Sequence, residues 1–481
     1  MGKKGQAPHR ILLAIAAMLS PLWATAAKTN VLLIVIDDLG WADLGCYGAK
    51  FHETPNLDRF AGEAVRFTDA YSASPVCSPT RTAIVTGKYP ARVGITDWIP
   101  GLDPKDERIL EVVHDLHELP PSEVTVAEAF KEAGYATHFV GKWHLNENPA
   151  PNPLDHGYDS NVGGCQWGAP KKGYFSPWDL PEEANLPDGE QGEYLDDRLA
   201  AEVCGLLEKS GDRPFFIHWC GYVVHAPIQA PAPLVEKYRA KLATMPAPER
   251  EFVLEHGFQD RDAQSDPVYA AMMEAMDSAV GRVLAKLKEL GIQDQTAVIF
   301  TSDNGGFSVT TKKFGPSCNR PLRAGKGWHY EGGIRVPLLV RWPGAGRAGA
   351  TCAEPVISSD IYPTLLEMSG LAGRPEQHVD GLSVAPLVRG SADALPREGL
   401  FFHYPHYHGS GHAPSAAIRA RDWKLIEFFE TGTVELYNLK DDLSEKNDLA
   451  KVELAKRSEL LGKLRAWRAA IGAEVPGRSD R

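Results

Sequence analysis

The sequence predicts an α/β protein with a large mixed, mostly parallel sheet between helices, followed by a small C-terminal antiparallel sheet and a terminal helix. Three observations lead there. Val31 to Ile36 is a continuous apolar, β-branched-rich run, the pattern of a strand buried on both faces of a parallel sheet. Strand and helix patterns then alternate repeatedly, as α/β layering requires. From about residue 395 the pattern changes to short alternating segments, which read as antiparallel strands.

The elements follow in order. Lys3, Lys4 and Arg10 flank an apolar run from Ile11 to Leu19 and are followed by Ala24-Thr25-Ala26, the layout of a secretory signal peptide over residues 1–26. That run is too short to span a bilayer, and no later stretch offers the roughly 20 apolar residues a membrane helix needs. The mature chain is expected to have no membrane span and to be periplasmic or secreted. Val31 to Ile36 ends in Asp37-Asp38. Thr54-Pro55 opens a helix carrying Leu57, Phe60, Ala61 and Ala64 on its apolar face, with Pro at the first helical position. Residues 125–133 form a helix closed by Gly134, and the strand Ala136 to Val140 leads into Gly141-Lys142-Trp143-His144. The Pro- and Gly-rich residues 145–192 read as surface loops around a site. Phe215 to Trp219 is a short strand leading to His225. The long helix Pro267 to Leu290 stops at Gly291, with Met272, Met276, Val280, Val283 and Leu287 as core. Ala297 to Thr301 then runs into Asp303-Asn304. Each of these polar groups follows the carboxyl end of a strand, the edge where open α/β sheets bind ligands. Ala416 to Arg419, Trp423 to Phe428 and Glu435 to Asn438 form the small sheet, and Val452 to Ala470 the terminal helix. The division is a main domain over 27–394 and a subdomain over 395–481.

The formal charge of −12 becomes more acidic once the basic leader is lost, so nucleic acid and anionic membranes are poor partners and neither is expected. An anionic small group can bind only where Lys, Arg and His converge locally. Seven cysteines are an odd number for an oxidising compartment, so at least one is unpaired or otherwise used. The sequence does not choose among pairings of the other six, and Cys220 in its apolar strand reads as a buried thiol.

Cys77-Ser78-Pro79-Thr80-Arg81 opens a helical run that ends at Thr86-Gly87. A helix start offers free N–H groups and a positive dipole end to an anion. Asp37, Asp38, Asp303 and Asn304 make an all-oxygen donor set, which selects a hard cation over zinc. The segment resembles the C-x-P-x-R signature of the type I, formylglycine-dependent sulfatases. The resemblance continues in order through Asp37-Asp38, Gly141 to His144, His225-Ala226-Pro227, Ser302 to Gly305, Gly325-Lys326-Gly327 and Tyr330 to Pro337. It implies the alkaline-phosphatase-like fold and the hydrolysis of sulfate monoesters. It also implies that Cys77 is oxidised to formylglycine by a formylglycine-generating or radical maturation enzyme acting on residues 77–81. Ca2+, with Mg2+ the second choice, is then held by Asp37, Asp38, Asp303 and Asn304 and also touches residue 77. One hydroxyl of the aldehyde hydrate attacks sulfur, and the other expels sulfate. By similarity Arg81 holds the hydrate, His144 is the base, Lys142 grips sulfate oxygens, and His225 and Lys326 stand at the leaving oxygen.

Residues 402–412 hold His403, His406, His408 and His412 beside Tyr404 and Tyr407. The stretch reads either as a Pro-kinked edge strand with exposed aromatics or as a wall of the pocket. Segments like it occur in sulfatases of polysaccharide-degrading bacteria, which makes His406 and His408 candidate substrate contacts. With Trp98, Trp167 and Trp178 in loops, the expected substrate is a sulfated glycan or another sulfated small molecule. The competing readings are a phosphonate monoester or phosphodiester hydrolase of the same fold, and a glycan-binding protein without turnover if Cys77 stays a thiol.

Overall fold

A computed structural model describes residues 1–2, 28–102, 109–111, 113–310 and 315–478. The signal peptide expected over 1–26 lies outside the described residues apart from Met1 and Gly2. Sixteen strands are described. The first eight are β1 Asn30–Ile36, β2 Val65–Tyr71, β3 Ala136–Gly141, β4 Ser160–Val162, β5 Phe215–Cys220, β6 Phe252–Glu255, β7 Phe258–Arg261 and β8 Thr296–Ser302. The rest are β9 Val309–Thr310, β10 Arg335–Arg341, β11 Thr351–Cys352, β12 Val356–Ile357, β13 Leu400–Tyr404, β14 Ser415–Ala420, β15 Trp423–Phe428 and β16 Val434–Asn438.

Nine strands form the main sheet in the order β11-β2-β10-β8-β1-β5-β3-β4, with β12 also on β2. The pairs β1–β5, β1–β8, β3–β5 and β3–β4 are parallel, and β10 runs antiparallel to both β8 and β2. The even and odd residues of β1 explain its unbroken apolar run. Leu32, Ile34 and Ile36 enter one core with the helices Leu195–Lys209 and Pro267–Glu289, while Val31, Leu33 and Val35 enter a second core on the opposite face. No face of this strand meets water, so no position needs a polar residue until the chain leaves the sheet at Asp37.

The small sheet has the order β13-β14-β15-β16, antiparallel throughout. Phe402, Ala417 and Ile426 pack with Tyr71, Ala83 and Trp328 of the main body, and Ile418, Leu425 and Leu436 meet Leu460 and Leu464 of the terminal helix. That helix is Leu454–Ile471, two residues shorter at its start than the apolar pattern implied. Val452 and Leu454 are exposed, so the first apolar positions are not part of the packed stripe. The helix Val126–Glu132 is fixed by a capping box in which Thr125 and Glu128 bond each other's backbone.

Two expectations are corrected. The stretch 402–412 does start in an edge strand, but Phe402, His403 and Tyr404 are buried, because β13 faces the main body. Pro405 stands just past its end. Residues 145–192 are not loops alone: Ser160–Val162 adds the edge strand β4, too short to show a period of two. All seven cysteines are free, and Cys220 is buried as read from its strand. No helix among the described residues is long and apolar enough to cross a membrane.

Candidate active site

Cys77 is the first residue of the helix Cys77–Thr86, preceded by the extended Val76. Pro79 sits in the first turn, where a missing N–H costs no helical bond. All ten helix residues are buried, so the polar ones need internal partners. Ser78 Oγ donates to the His144 carbonyl at 2.8 Å, Thr80 Oγ1 to Ser74 O at 3.0 Å and Thr82 Oγ1 to Ser78 O at 3.0 Å. Gly87 ends the helix at φ 69°, a left-handed cap that suits glycine. Arg81 stands four residues on, on the same face as Cys77. Its Nε and Nη2 donate to Asp303 Oδ2 at 2.9 and 2.7 Å, and its Nη1 donates to the Lys142 carbonyl at 2.7 Å.

The strand ends β1, β3 and β8 are neighbours through β5 and β1, which brings Asp37, Asp38, Lys142, His144, Asp303 and Asn304 to one edge. Asp37, Asp38 and Asp303 each offer an oxygen within 4.8 Å of the others. Lys142 Nζ donates to Asp37 Oδ2 at 2.6 Å, and Lys326 Nζ lies 2.7 Å from Asp38 Oδ1. Asn304 Nδ2 also donates to Asp38 Oδ1, at 2.7 Å. Asp37 Oδ1 and Asn304 Oδ1 are buried without a hydrogen-bond partner. Burial raises the Asp37 carboxyl against the pull of Lys142, and Asp303 and Asp38 raise it further. Burial also pushes Asp38 up, but Lys326 and His225 outweigh it and hold this carboxyl below the usual carboxylate range. Three buried carboxylates and the Asn304 amide, with one carboxylate oxygen and the amide oxygen lacking donors, form a site that a hard divalent cation fits. Asp38 and His144 adopt φ 58° and 57°, a left-handed backbone that costs a non-glycine residue about 1–3 kcal/mol and concentrates at functional sites.

His144 Nε2 lies 2.6 Å from the Ile99 carbonyl. A carbonyl only accepts, so Nε2 carries the hydrogen and Nδ1, which has no partner, is left as the acceptor. Burial first and the Lys142 cation second hold this imidazole far below its ordinary range, hence neutral. His225 Nδ1 similarly donates to Ala226 O at 2.6 Å, leaving Nε2 toward Asp38 Oδ2 at 3.8 Å. Burial and Lys326 lower His225 too, whereas Lys326 is raised by Asp38 despite its burial and stays charged.

Above this cluster opens a pocket of about 650 Å³. Its lining includes Asp38, Cys77, His144, His225 and Lys326, then Trp98, Trp167, Phe307, Gln166, Lys171 and His408 above them. The expected cluster is therefore assembled from six separate chain segments. One candidate contact of the wall lies elsewhere. His406 does not line the pocket: it is 6 % exposed, with Nε2 2.8 Å from Thr96 Oγ1 and Nδ1 4.0 Å from Asp97 Oδ2. It sits behind the wall, against Thr96 and the Tyr404 ring. Trp178 is fully buried and donates to Tyr174 O at 3.0 Å. Gln166, Lys171 and Phe307 escaped the sequence reading, since no motif or period marks them. Ile99, whose carbonyl orients His144, acts through its backbone and leaves no side-chain signal at all.

The sulfatase family profile matches residues 29–371, and the profile of the N-sulphoglucosamine sulphohydrolase C-terminal region matches residues 324–467. N-acetylgalactosamine-6-sulfatase of Canis lupus familiaris is 32 % identical over 79 % of this chain and 70 % of its own length. The chain belongs to the sulfatase family. It is a sulfuric ester hydrolase with the alkaline-phosphatase-like fold. A sulfatase of Formosa agariphila is 31 % identical over 94 % of this chain and 92 % of its own. The crystal structure of Ps i-CgsB in complex with k-i-k-neocarrahexaose superposes with TM-score 0.75 at 29 % identity, covering 92 % of each chain. The second profile takes in the whole small sheet of this sulfatase together with Lys326 on the pocket floor.

Proposed function

We propose that this sulfatase removes sulfate from a sulfated carbohydrate, using Cys77 oxidised to formylglycine and a bound Ca2+. The observation that carries the reading is the placement of Cys77 at a helix start on the pocket floor, beside the Asp37–Asp38–Asp303 cluster and two lysines. An aldehyde at position 77 would supply, as its hydrate, one hydroxyl to attack sulfur and a second to free the product. Asp37, Asp38, Asp303 and Asn304 would hold the cation, which adds positive charge against the sulfate oxygens.

The chain's own residues do the rest. Lys142 and Lys326 draw the sulfate to the floor against the net negative charge of the protein. Arg81 fixes the helix start by tying it to Asp303 and the Lys142 carbonyl. His144, neutral with a free Nδ1, accepts a proton. Lys326, charged and lining the pocket, is the standing proton donor for the leaving oxygen; His225 joins it once the negative charge of the bound sulfate ester raises its basicity. Trp98, Trp167 and Phe307 offer faces to a sugar ring, and His408 a polar contact. Residues 27–394 are the catalytic unit, and the subdomain 395–481 lends the His408 side of the wall. The carbohydrate sulfatases among its relatives support this substrate class, and the leader pattern supports a periplasmic or secreted site of action.

The test is the mass of the peptide containing Cys77, together with sulfate release from sulfated saccharides and a phosphonate ester. Conversion of Cys77, and sulfate release that falls by about four to six orders of magnitude in Cys77→Ala, are the expected results. A converted Cys77 that turns over only the phosphonate ester would reassign the substrate class.

A further inference from the structure

The floor of the pocket carries the charge for one sulfate, and the rim carries one cation that the reaction does not use. Lys171 lines the pocket and is exposed, with Nζ 3.9 Å from the centroid of the Trp167 ring. It makes no ion pair among the described residues, whereas its neighbour Lys172 is paired with Asp179 at 2.9 Å. Of two adjacent lysines, one is neutralised and the other is left over the pocket.

The segment that presents Lys171 is fastened to the catalytic loops at both ends. The His144 N–H donates to Cys165 O at 3.1 Å. Gly168 packs so closely on the His144 ring that a Cβ there would stand 2.8 Å from Cε1. At the other end Gly173 N donates to Pro170 O at 3.1 Å, and Tyr174 N donates to Gln229 Oε1 at 2.8 Å, four residues past His225. The cation is thus held in place by the indole face and a pinned loop. Around it the wall is apolar: Trp98, Ile99, Pro100, Leu102 and Phe307. A formal charge of −12 repels any anion that extends beyond the floor, so a second negative group needs a local cation.

We propose that Lys171, presented on the Trp167 ring, binds a second anionic group of the same saccharide, either a carboxylate or a further sulfate. The inference rests on the carbohydrate reading above. A point-charge ammonium accepts both groups, and the indole face beside it can pack the intervening sugar ring.

The test uses full-length Cys77→Ala protein, which binds without turnover, with and without Lys171→Ala and Lys171→Arg. The probes are N-acetylgalactosamine 6-sulfate, its 4,6-disulfate, and a disaccharide joining a uronate to the 6-sulfated sugar, each titrated by calorimetry. Lys171→Ala is expected to weaken one or both doubly anionic probes about two- to fivefold, leave the singly anionic one unchanged, and be restored by Lys171→Arg. The loss should shrink with added salt, and the two double anions separate the carboxylate from the sulfate. Equal weakening of all three probes, or of none, overturns the proposal while leaving the carbohydrate reading intact. If no saccharide binds and none is desulfated by the mature enzyme, both fall together.

Discussion

At and just beneath the pocket floor Asp37, Lys142 and Asp303 are fully buried and Arg81 is 3 % exposed, whereas at the rim Lys171 and Pro100 are open to water and Trp98 and Trp167 are half-buried. Every floor charge is tied to another floor charge at hydrogen-bond distance. At the rim Lys171 lies over the Trp167 ring and makes no ion pair among the described residues. A floor residue cannot be exchanged without stranding a buried charge, so this part of the molecule fixes the reaction. A rim residue can be exchanged at little cost to folding, so that part is free to fix the substrate.

The sharpest way to break this contrast is to compare Arg81→Ala with Trp98→Ala. Removing Arg81 leaves Asp303 buried without its main cation, a loss of about 3–5 kcal/mol, and activity should vanish with it. Trp98→Ala should fold with an unchanged melting temperature and show its effect in KM. A stable, active Arg81→Ala enzyme would mean that the floor charges are solvated after all.

Next in size is cation removal. Chelation should lower sulfate release by at least about a hundredfold and the melting temperature by several degrees, since a ligand present at 100 times its Kd contributes about 2.7 kcal/mol to the folded state. Calcium should restore both and zinc neither, because the donors are all oxygen. Restoration by zinc would refute the hard-cation assignment.

Asp196 shows what a buried carboxyl does without the floor's cations. Neither of its oxygens has a hydrogen-bond partner, and burial, with Asp197 adding to it and Arg282 opposing, raises it from 3.8 to about 8. Between those values the folded chain keeps a proton that the unfolded chain releases, so stability falls as pH rises, by up to about 1.4 kcal/mol per unit. Below 3.8 the penalty is absent, and above about 8 it is constant. Asp196→Asn should therefore raise the melting temperature more at pH 8 than at pH 5. An equal gain at both would show that the carboxyl is ionised in the fold.

The same contrast explains what is legible in the sequence. Floor residues follow strand ends, and strands buried on both faces have unmistakable patterns, so Asp37-Asp38, Lys142, His144 and Asp303-Asn304 fall at one edge on pattern alone. The Cys77 helix is readable from its Pro and its terminal Gly. Strand β10 leaves no clear strand signal, although Tyr330 to Pro337 stands out as a motif, because Pro337 interrupts its pattern. Gln166, Lys171 and Phe307 lie in segments whose path depends on long-range contacts such as Tyr174 to Gln229, which no local pattern encodes.

The smallest expected effects separate His406 from His408, two residues apart and on opposite sides of the wall. His408 lines the pocket with Nδ1 2.9 Å from Ser410 Oγ. His406 is buried against Thr96, with its ring 5.6 Å from that of Tyr404. Truncating His406 strips a partner from a buried hydroxyl and opens a small void, which should cost about 1–3 kcal/mol of stability and leave KM near its original value. Truncating His408 should leave the melting curve in place and raise KM for the saccharide by about two- to tenfold, the scale of one polar contact. Melting curves and KM for both alanine variants decide the matter. If the two effects are exchanged, the wall is formed by the other face of this turn; if both variants change KM alone, the small sheet contributes a broader binding surface than the pocket lining describes.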